Sequence, residues 1–363
     1  MKILDITTFF HSQSGGIRRY LCEKAEFLKS TSWQHVIVVP GKKLRKSRLF
    51  RSTIYEVPSV KVPGTGGYRM FYGLGDVVNI LSEEKPNIVE VGGSYFLLPF
   101  LKSDQYKLIA YYHSSLEPYY DLFPLGRLVG QRILKTYVRR SLSLADFVVS
   151  PSRKMEEYLR RCGIDRVATV NLGCDTDIFR LKQDGLMEKE RLTKKKIVYV
   201  GRLSPDKEVK ILCKFFSTLP PDRFEIYVAG DGSHRDKIVE LSKKKKNIVY
   251  LGFISDKKVI ADLYNKGDIF VSASEAETFG LAFLEAQACG CVLVAKDLDL
   301  ETQPFKEFLV GHMSVDSLCE AVEKASSSVS LPLKIEISTY VRQNFSWRNT
   351  FEKLFALYES LLT

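Results

Sequence analysis

Several things are scarce in this chain, and each scarcity removes a class of answer. The seven cysteines stand singly, apart from Cys289-Gly290-Cys291, and none forms a C-x-x-C pair. An odd number at irregular spacing does not build a disulfide framework, so free thiols in a reducing compartment are expected. With five histidines and no paired ligand spacing, no metal site is expected. No apolar run approaches the ~20 residues that a membrane-spanning helix needs. The N-terminus runs straight into a strand pattern, KILDIT, without a basic segment and an apolar segment ahead of it. No signal peptide is therefore expected, and the expected location is cytoplasmic.

Acidic residues are also scarce, but only in the first half. Residues 1–170 carry 26 Lys and Arg against 15 Asp and Glu, a net of +11, whereas residues 171–363 carry 28 against 28. The whole basic excess lies in one half, which suggests that this half meets something anionic: a lipid surface, a charged acceptor or nucleic acid. No recognition-helix or RNA-module signature accompanies the charge, so nucleic acid ranks last. The total of 363 residues, 45% hydrophobic and 27% charged, fits a soluble globular protein of two domains with a core each.

What the chain does have is concentrated between Ile269 and Ala295. An apolar run Ile269-Phe270-Val271 reads as a buried strand, and a polar loop follows from Ser272 to Thr278. A helical pattern then runs from Phe279 to Cys289, is stopped by Gly290 as a C′ glycine, and gives way to a second strand from Cys291. This is the repeating unit of an open parallel α/β sheet, whose ligands bind outside the carboxyl ends of the strands. Two carboxylates sit in it, Glu277 in the loop and Glu285 among apolar neighbours on the helix. Glu285 either lies on a narrow wet stripe, pairs with a Lys or Arg, or accepts hydrogen bonds from a ligand, because an unpartnered buried carboxylate is costly.

Three further stretches have the same strand-then-ligand layout. After Ile197-Val198-Tyr199-Val200 comes Gly201-Arg202-Leu203-Ser204-Pro205-Asp206-Lys207, where Arg202 and Lys207 are either exposed ions or a clamp for a diphosphate. Gly15-Gly16 opens the helix after the first strand, as a plain turn or as a close approach to a ligand. His113 ends the strand pattern of Lys107–His113, as an ordinary hydrogen-bonded residue or as a group facing the ligand.

Taken together, E-T-F-G-L-A-F-L-E (Glu277 to Glu285) and G-R-L-S-P-D-K (Gly201 to Lys207) resemble the E-x7-E signature and the diphosphate-binding motif of the family-4 retaining glycosyltransferases. The resemblance runs over essentially the whole chain. It implies a GT-B fold: two Rossmann-like parallel-sheet domains facing across a cleft that holds the active site and closes over the donor. It implies transfer of a hexose from a nucleotide diphosphate sugar to an acceptor hydroxyl with retention of configuration, without a metal or cofactor. The roles it carries over are donor-sugar hydroxyls for Glu277, the ribose for Glu285, the diphosphate for Arg202 and Lys207, and the donor sugar for His113. Backbone approaches to the donor are implied at Gly15 and Gly16, at Gly230 in Gly230-Asp231-Gly232, and at Phe279, Gly280 and Leu281. Phe253 and Ile254, at the end of the strand pattern Val249–Ile254 where it leads into a loop, stand where the family contacts the base. The acceptor is expected on the basic first domain, lipid-linked or polysaccharide, with a peripheral position at the inner face of the membrane.

The domains are expected at 1–175 and 190–345, with the boundary in the polar stretch Leu181–Lys196 and a last helix, 346–363, packing back on the first domain. The basic run Gly41–Arg51 reads as a solvated, mobile loop or, less favoured, a contact for anionic head groups. Pro124–Leu144 reads as a basic amphipathic helix that packs on a sheet and could also rest on lipid. Asp175-Thr176-Asp177 and Asp297-Leu298-Asp299 mimic a metal motif but read as turns whose Asp side chains bond the local backbone. After Ala295 the family's Gly-Gly-x-x-Glu turn is missing. That makes a non-catalytic nucleotide-sugar-binding subunit a rival, and a same-fold epimerase or phosphorylase is a second because it can share the fold.

Overall fold

A computed structural model describes residues 1–10, 15–62, 69–113, 127–182 and 194–363. The chain divides into two compact units, Met1–Leu172 with Trp347–Thr363, and Gly173–Ser346. The division falls ahead of the low-complexity stretch where the sequence placed it. The reason is local: the Cys174 amide donates to the Phe345 carbonyl at 3.1 Å, and Cys174 bridges to Ser346, tying outgoing and returning chain inside the second unit.

In the first unit the described elements are β1 (Lys2–Ile6), α1 (Gly16–Phe27), β2 (Gln34–Gly41), β3 (Arg45–Leu49), β4 (Ser52–Lys61), β5 (Arg69–Phe71) and α2 (Gly75–Glu84). They continue with β6 (Ile88–Gly92), α3 (Leu98–Leu101), β7 (Lys107–Tyr111), α4 (Arg127–Leu142), β8 (Phe147–Ser150), α5 (Arg153–Arg161) and β9 (Val167–Thr169). The sheet order is β3-β4-β2-β1-β6-β7-β8-β9, with β5 on β4. From β4 to β9 the ladder is parallel, and strands such as Ile88–Gly92 are buried end to end, as expected for a sheet covered on both faces. Ser152 caps α5 by accepting from the Met155 amide, as its position in the sequence suggests.

The second unit repeats the plan with β10 (Lys195–Val200), α6 (Val209–Thr218), β11 (Phe224–Ala229), α7 (Arg235–Lys244), β12 (Ile248–Gly252), α8 (Lys257–Lys266), β13 (Ile269–Val271), α9 (Leu281–Ala288), β14 (Val292–Val294), α10 (Val315–Ser328) and α11 (Leu331–Asn344). Its five parallel strands run in the order β12-β11-β10-β13-β14. Gly290 ends α9 at φ +85°, the left-handed conformation that the C′ position needs. Helix α12 (Trp347–Leu362) then rejoins the first unit.

Two sequence readings change. The run Gly41–Arg51 is not a mobile loop: Arg45–Leu49 forms β3, antiparallel to β4 with Arg45 opposite Glu56 and Leu49 opposite Ser52. Cross-strand pairing stabilises a basic segment that its own composition would leave solvated. The second change is a buried ion cluster that no motif announced. Lys24 Nζ lies 2.8 Å from Asp5 Oδ1 and 3.2 Å from Glu90 Oε1, with all three side chains almost fully buried. His35 bonds Asp5 Oδ2 at 2.6 Å and Ser52 at 2.8 Å. Tyr20 donates to Glu90 at 2.9 Å, and Tyr358 of α12 donates to the other Glu90 oxygen. The cluster fastens the C-terminal helix to β1, β6 and α1, so α12 docks through charge as well as through Phe351 and Phe355 on Phe27.

Candidate functional site

The order β12-β11-β10-β13-β14 reverses direction between β10 and β13, and loops leaving the carboxyl ends of those two neighbours flank the point of reversal. That is where open α/β sheets hold their ligands. The loop after β10 carries Arg202 and Lys207, and the loop after β13 carries Glu277. The fold therefore brings together residues seventy positions apart: Lys207 Nζ pairs with Glu277 Oε1. Both side chains are about one-fifth exposed, at 19% and 20%, so the pair is reachable yet partly shielded from solvent. Ser274, buried beneath them, lies 3.4 Å from Lys207 Nζ and donates to the Ala276 carbonyl at 3.0 Å. Arg202 is exposed and bonds Asp206 at 3.0 Å, a contact that costs little to exchange for another anion.

The backbone around this pair is tightly determined. The Tyr199 hydroxyl donates to the Arg202 carbonyl at 2.8 Å, and burial, with the nearby Glu277 carboxylate, holds that phenol well above its ordinary range, so it stays a donor. Gly201 bonds the Ala229 carbonyl at 3.1 Å and Leu203 the Asp231 carbonyl at 2.9 Å, lacing the loops after β10 and β11 together. Gly230 has φ +147°, and a Cβ there would lie 1.9 Å from the Gly201 carbonyl oxygen, so no other residue fits. Phe253, exposed, and Ile254, half-buried, follow β12 on the same carboxyl edge.

Gly280, at φ +83°, is the residue before α9, and Leu281 opens that helix. The Phe279 side chain is buried and meets the Phe345 ring edge at 6.1 Å, so only its backbone is left to face a ligand. Glu285 is 4% exposed, which removes the wet-stripe reading and places the carboxylate inside a helix buried from Phe283 to Ala288. The segment after Ala295, irregular by sequence, braces this region by another route. Thr302 Oγ1 donates to the Phe279 carbonyl at 2.7 Å, Gln287 Nε2 to the Thr302 carbonyl at 2.8 Å, and Gln303 Nε2 to the Lys296 carbonyl at 2.7 Å. Ser274, Tyr199, Thr302 and Gln303 were not singled out by sequence reading; a hydroxyl three positions before Glu277 was the available signal for Ser274.

In the first unit the corresponding reversal lies between β1 and β6. Gly15 caps α1 without a side chain and Gly16 is its first residue. His113 follows β7, buried, stacked on Tyr111 at 4.1 Å and edge-on to Tyr20 at 4.8 Å. Burial, reinforced by the Lys24 charge, pushes its pKa down to about 3, so the imidazole is neutral at physiological pH. Asp175 Oδ1 accepts from the Asp177 and Ile178 amides, and Asp297 Oδ1 from the Asp299 amide, which makes both acidic triplets turns. Among the described residues no group of His, Cys, Asp or Glu is arranged to hold a metal ion.

Comparison with known proteins agrees with this layout. Residues 14–178 match the family described as Glycosyltransferase Family 4, and residues 184–334 match Glycosyl transferases group 1. The chain belongs to glycosyltransferase family 4. It is 25% identical over 300 residues, 80% of this chain and 78% of the other, to a Mycobacterium tuberculosis GDP-mannose-dependent alpha-(1-6)-phosphatidylinositol dimannoside mannosyltransferase. It is 27% identical to the alpha-monoglucosyldiacylglycerol synthase of Streptococcus pneumoniae, over 51% of this chain and 45% of that one. In fold it is similar to the sucrose-phosphate synthase of Thermosynechococcus elongatus, with a TM-score of 0.81 at 18% identity over 99% and 98% of the two chains. It is similar also to the Anabaena protein HepE in complex with UDP-glucose, at 0.72 and 16% over 99% and 100%. The fold of this family-4 chain is GT-B, and no helix among its described residues is long and apolar enough to cross a membrane.

Proposed function

We propose that the protein transfers a hexose from a nucleotide diphosphate sugar to the hydroxyl of a lipid-linked acceptor, retaining the anomeric configuration and needing no metal. The observation that carries this is the Lys207–Glu277 pair, with Arg202 beside it in sequence, at the reversal point of the second sheet. On this reading the donor enters by exchange. Its diphosphate takes Lys207 and Arg202 from their carboxylate partners, and the freed Glu277 accepts hydrogen bonds from the sugar hydroxyls. As the bond from the anomeric carbon to the phosphate oxygen breaks, negative charge grows on the leaving diphosphate, and the two cations stabilise it where it develops. The acceptor oxygen forms its bond on the same face, and its proton passes to the departing phosphate.

Within the same proposal, Gly230, Phe253 and Ile254 approach the nucleotide, Phe279, Gly280 and Leu281 offer backbone to the diphosphate and sugar, and Glu285 holds the ribose. Gly15, Gly16 and His113 belong to the edge of the first sheet, where a neutral imidazole can donate or accept a hydrogen bond from a sugar hydroxyl. Relatives that are GDP-mannose-dependent make GDP-mannose the first donor to test, and the phosphatidylinositol and diacylglycerol named for two relatives support a lipid acceptor.

The test is product analysis. Purified protein is given GDP-mannose, UDP-glucose or ADP-glucose with a phosphatidylinositol or diacylglycerol acceptor, and the new linkage is assigned by NMR. Transfer with retained configuration, insensitive to EDTA and abolished in Glu277→Ala, is expected. Inversion, dependence on a chelatable metal, or nucleotide-sugar binding with neither transfer nor hydrolysis would overturn it, the last outcome pointing to a non-catalytic subunit.

A further inference from the structure

The hairpin of β4 and β5 has an outward face of the wrong polarity for water. An antiparallel pair with one face packed normally turns polar side chains outward. Here Ser59 and Phe71, opposite one another, are buried. Val60 and Met70, the next pair, face the other way and are 49% and 43% exposed. Tyr72 lies two residues beyond Met70 on that same face, its amide donating a hydrogen bond to the Pro58 carbonyl at 2.9 Å, and is 82% exposed. Three large apolar side chains thus stand side by side in solvent on a two-stranded ribbon, an arrangement that marks a surface awaiting a partner.

Position and charge say which partner. Strand β4 is parallel to β2, with Gly41 opposite Pro58, so the hairpin rises from the carboxyl edge of the first sheet. That is the edge which also carries Gly16 and His113. The chain leaving β2 at this edge is Lys42-Lys43-Leu44, all exposed, and β4 ends in exposed Lys61. The cations of β3 could be explained as protection of a sheet edge against pairing with another chain. That explanation does not cover Leu44, Val60, Met70 and Tyr72, because edge protection is served by charge and not by exposed apolar groups.

We propose that the β4–β5 hairpin face, Val60, Met70 and Tyr72 with Lys42 and Lys43 near it, docks the first unit on an anionic lipid bilayer. The apolar side chains enter the head-group boundary and the lysines meet lipid phosphates. The inference rests on the lipid-acceptor reading only for its choice of partner; the apolar face and its charge stand independently. Docking here would set the carboxyl edge of the acceptor-side sheet against the membrane surface.

The experiment is co-sedimentation of the full chain with phosphatidylcholine vesicles, with and without phosphatidylglycerol, across a salt series. Wild type is expected to sediment with the anionic vesicles at low salt. The variant Val60→Ser/Met70→Ser/Tyr72→Ser should lose most of the binding that survives high salt, and Lys42→Glu/Lys43→Glu should lose more than about fivefold per lysine at low salt. Each variant is checked for wild-type thermal unfolding. Wild type that ignores anionic vesicles at low salt, or a triple serine variant that binds them unchanged, overturns the proposal. So does a wild-type dimer in solution that the serine variant dissolves, since the face would then belong to a second copy. Donor hydrolysis in detergent-free buffer without vesicles separates the two claims. It should be unchanged in both variants, and its absence from wild type that still binds vesicles would count against the proposed transferase and not against the docking face.

Discussion

The two units build their sheets on the same order around the reversal point, and they place charge in opposite ways. In the second unit, Arg202, Lys207 and Glu277 sit beyond the strand ends, partly open to solvent, with Lys207 paired to Glu277 and Arg202 to Asp206. In the first, Asp5 and Glu90 lie on the two strands at the reversal point, β1 and β6, and are sealed with Lys24 under α1 and α12. At the reversal point of the first unit charge is committed to holding the structure together; at that of the second it is available for exchange. The difference follows from desolvation. A buried ion pair cannot swap partners without leaving an uncompensated charge, whereas a half-shielded pair can.

Breaking that comparison is easiest in the first unit. Lys24→Met leaves Asp5 and Glu90 buried without their cation and is expected to cost about 3–5 kcal/mol, read as a fall in unfolding free energy. In the second unit Lys207→Ala should leave stability nearly unchanged and lower kcat by about 100- to 1000-fold, the scale for removing one group aimed at developing charge. If Lys207→Ala unfolds the protein or Lys24→Met does not destabilise it, the contrast between the units fails. Tyr358→Phe removes one hydroxyl from Glu90 and should cost about 1–3 kcal/mol, with α12 the first element to lose hydrogen-exchange protection.

Two further effects are read in the pH profile, where each acts gradually over several pH units. His113, held down to about 3 from an ordinary 6.5, resists a proton that the unfolded chain accepts. The folded state therefore loses stability as pH falls from about 6.5 toward 3, by at most about 1.4 kcal/mol per pH unit from this group. His113→Gln should flatten the acid limb by that share. Glu90 runs the other way. Burial raises it from 4.5 to about 7, so the folded state holds the proton and stability declines as pH rises from about 4.5 to 7. Glu90→Gln should remove that decline in a Tm-against-pH series.

How much of this was legible beforehand depends on whether a feature is local in sequence. The Ile269–Ala295 unit was, because a strand, a loop, a helix and its stopping glycine follow one another within reach of their own capping rules. The position of Arg202 and Lys207 after a strand was legible for the same reason. The basic run Gly41–Arg51 was misread because its strand character comes from β4, and propensity yields to cross-strand pairing. The Asp5–Lys24–Glu90 cluster was invisible: its members are 19 and 66 residues apart in the two ion pairs, and each alone looks like an ordinary charge in a strand or helix. Thr302 and Gln303 escaped because the segment lacks the expected glycines, and its side-chain bonds to backbone leave no periodic trace.

The central claim is that Lys207, released from Glu277, grips the diphosphate of the donor. It is tested most directly by thermal unfolding of wild type and Lys207→Ala with saturating GDP, UDP and ADP. One of the three, at ~100 times its dissociation constant, should add ~2.7 kcal/mol to the stability of the wild type. The account predicts that Lys207→Ala loses most of that gain at the same nucleotide concentration while unfolding normally without nucleotide. An equal gain in the variant would contradict it.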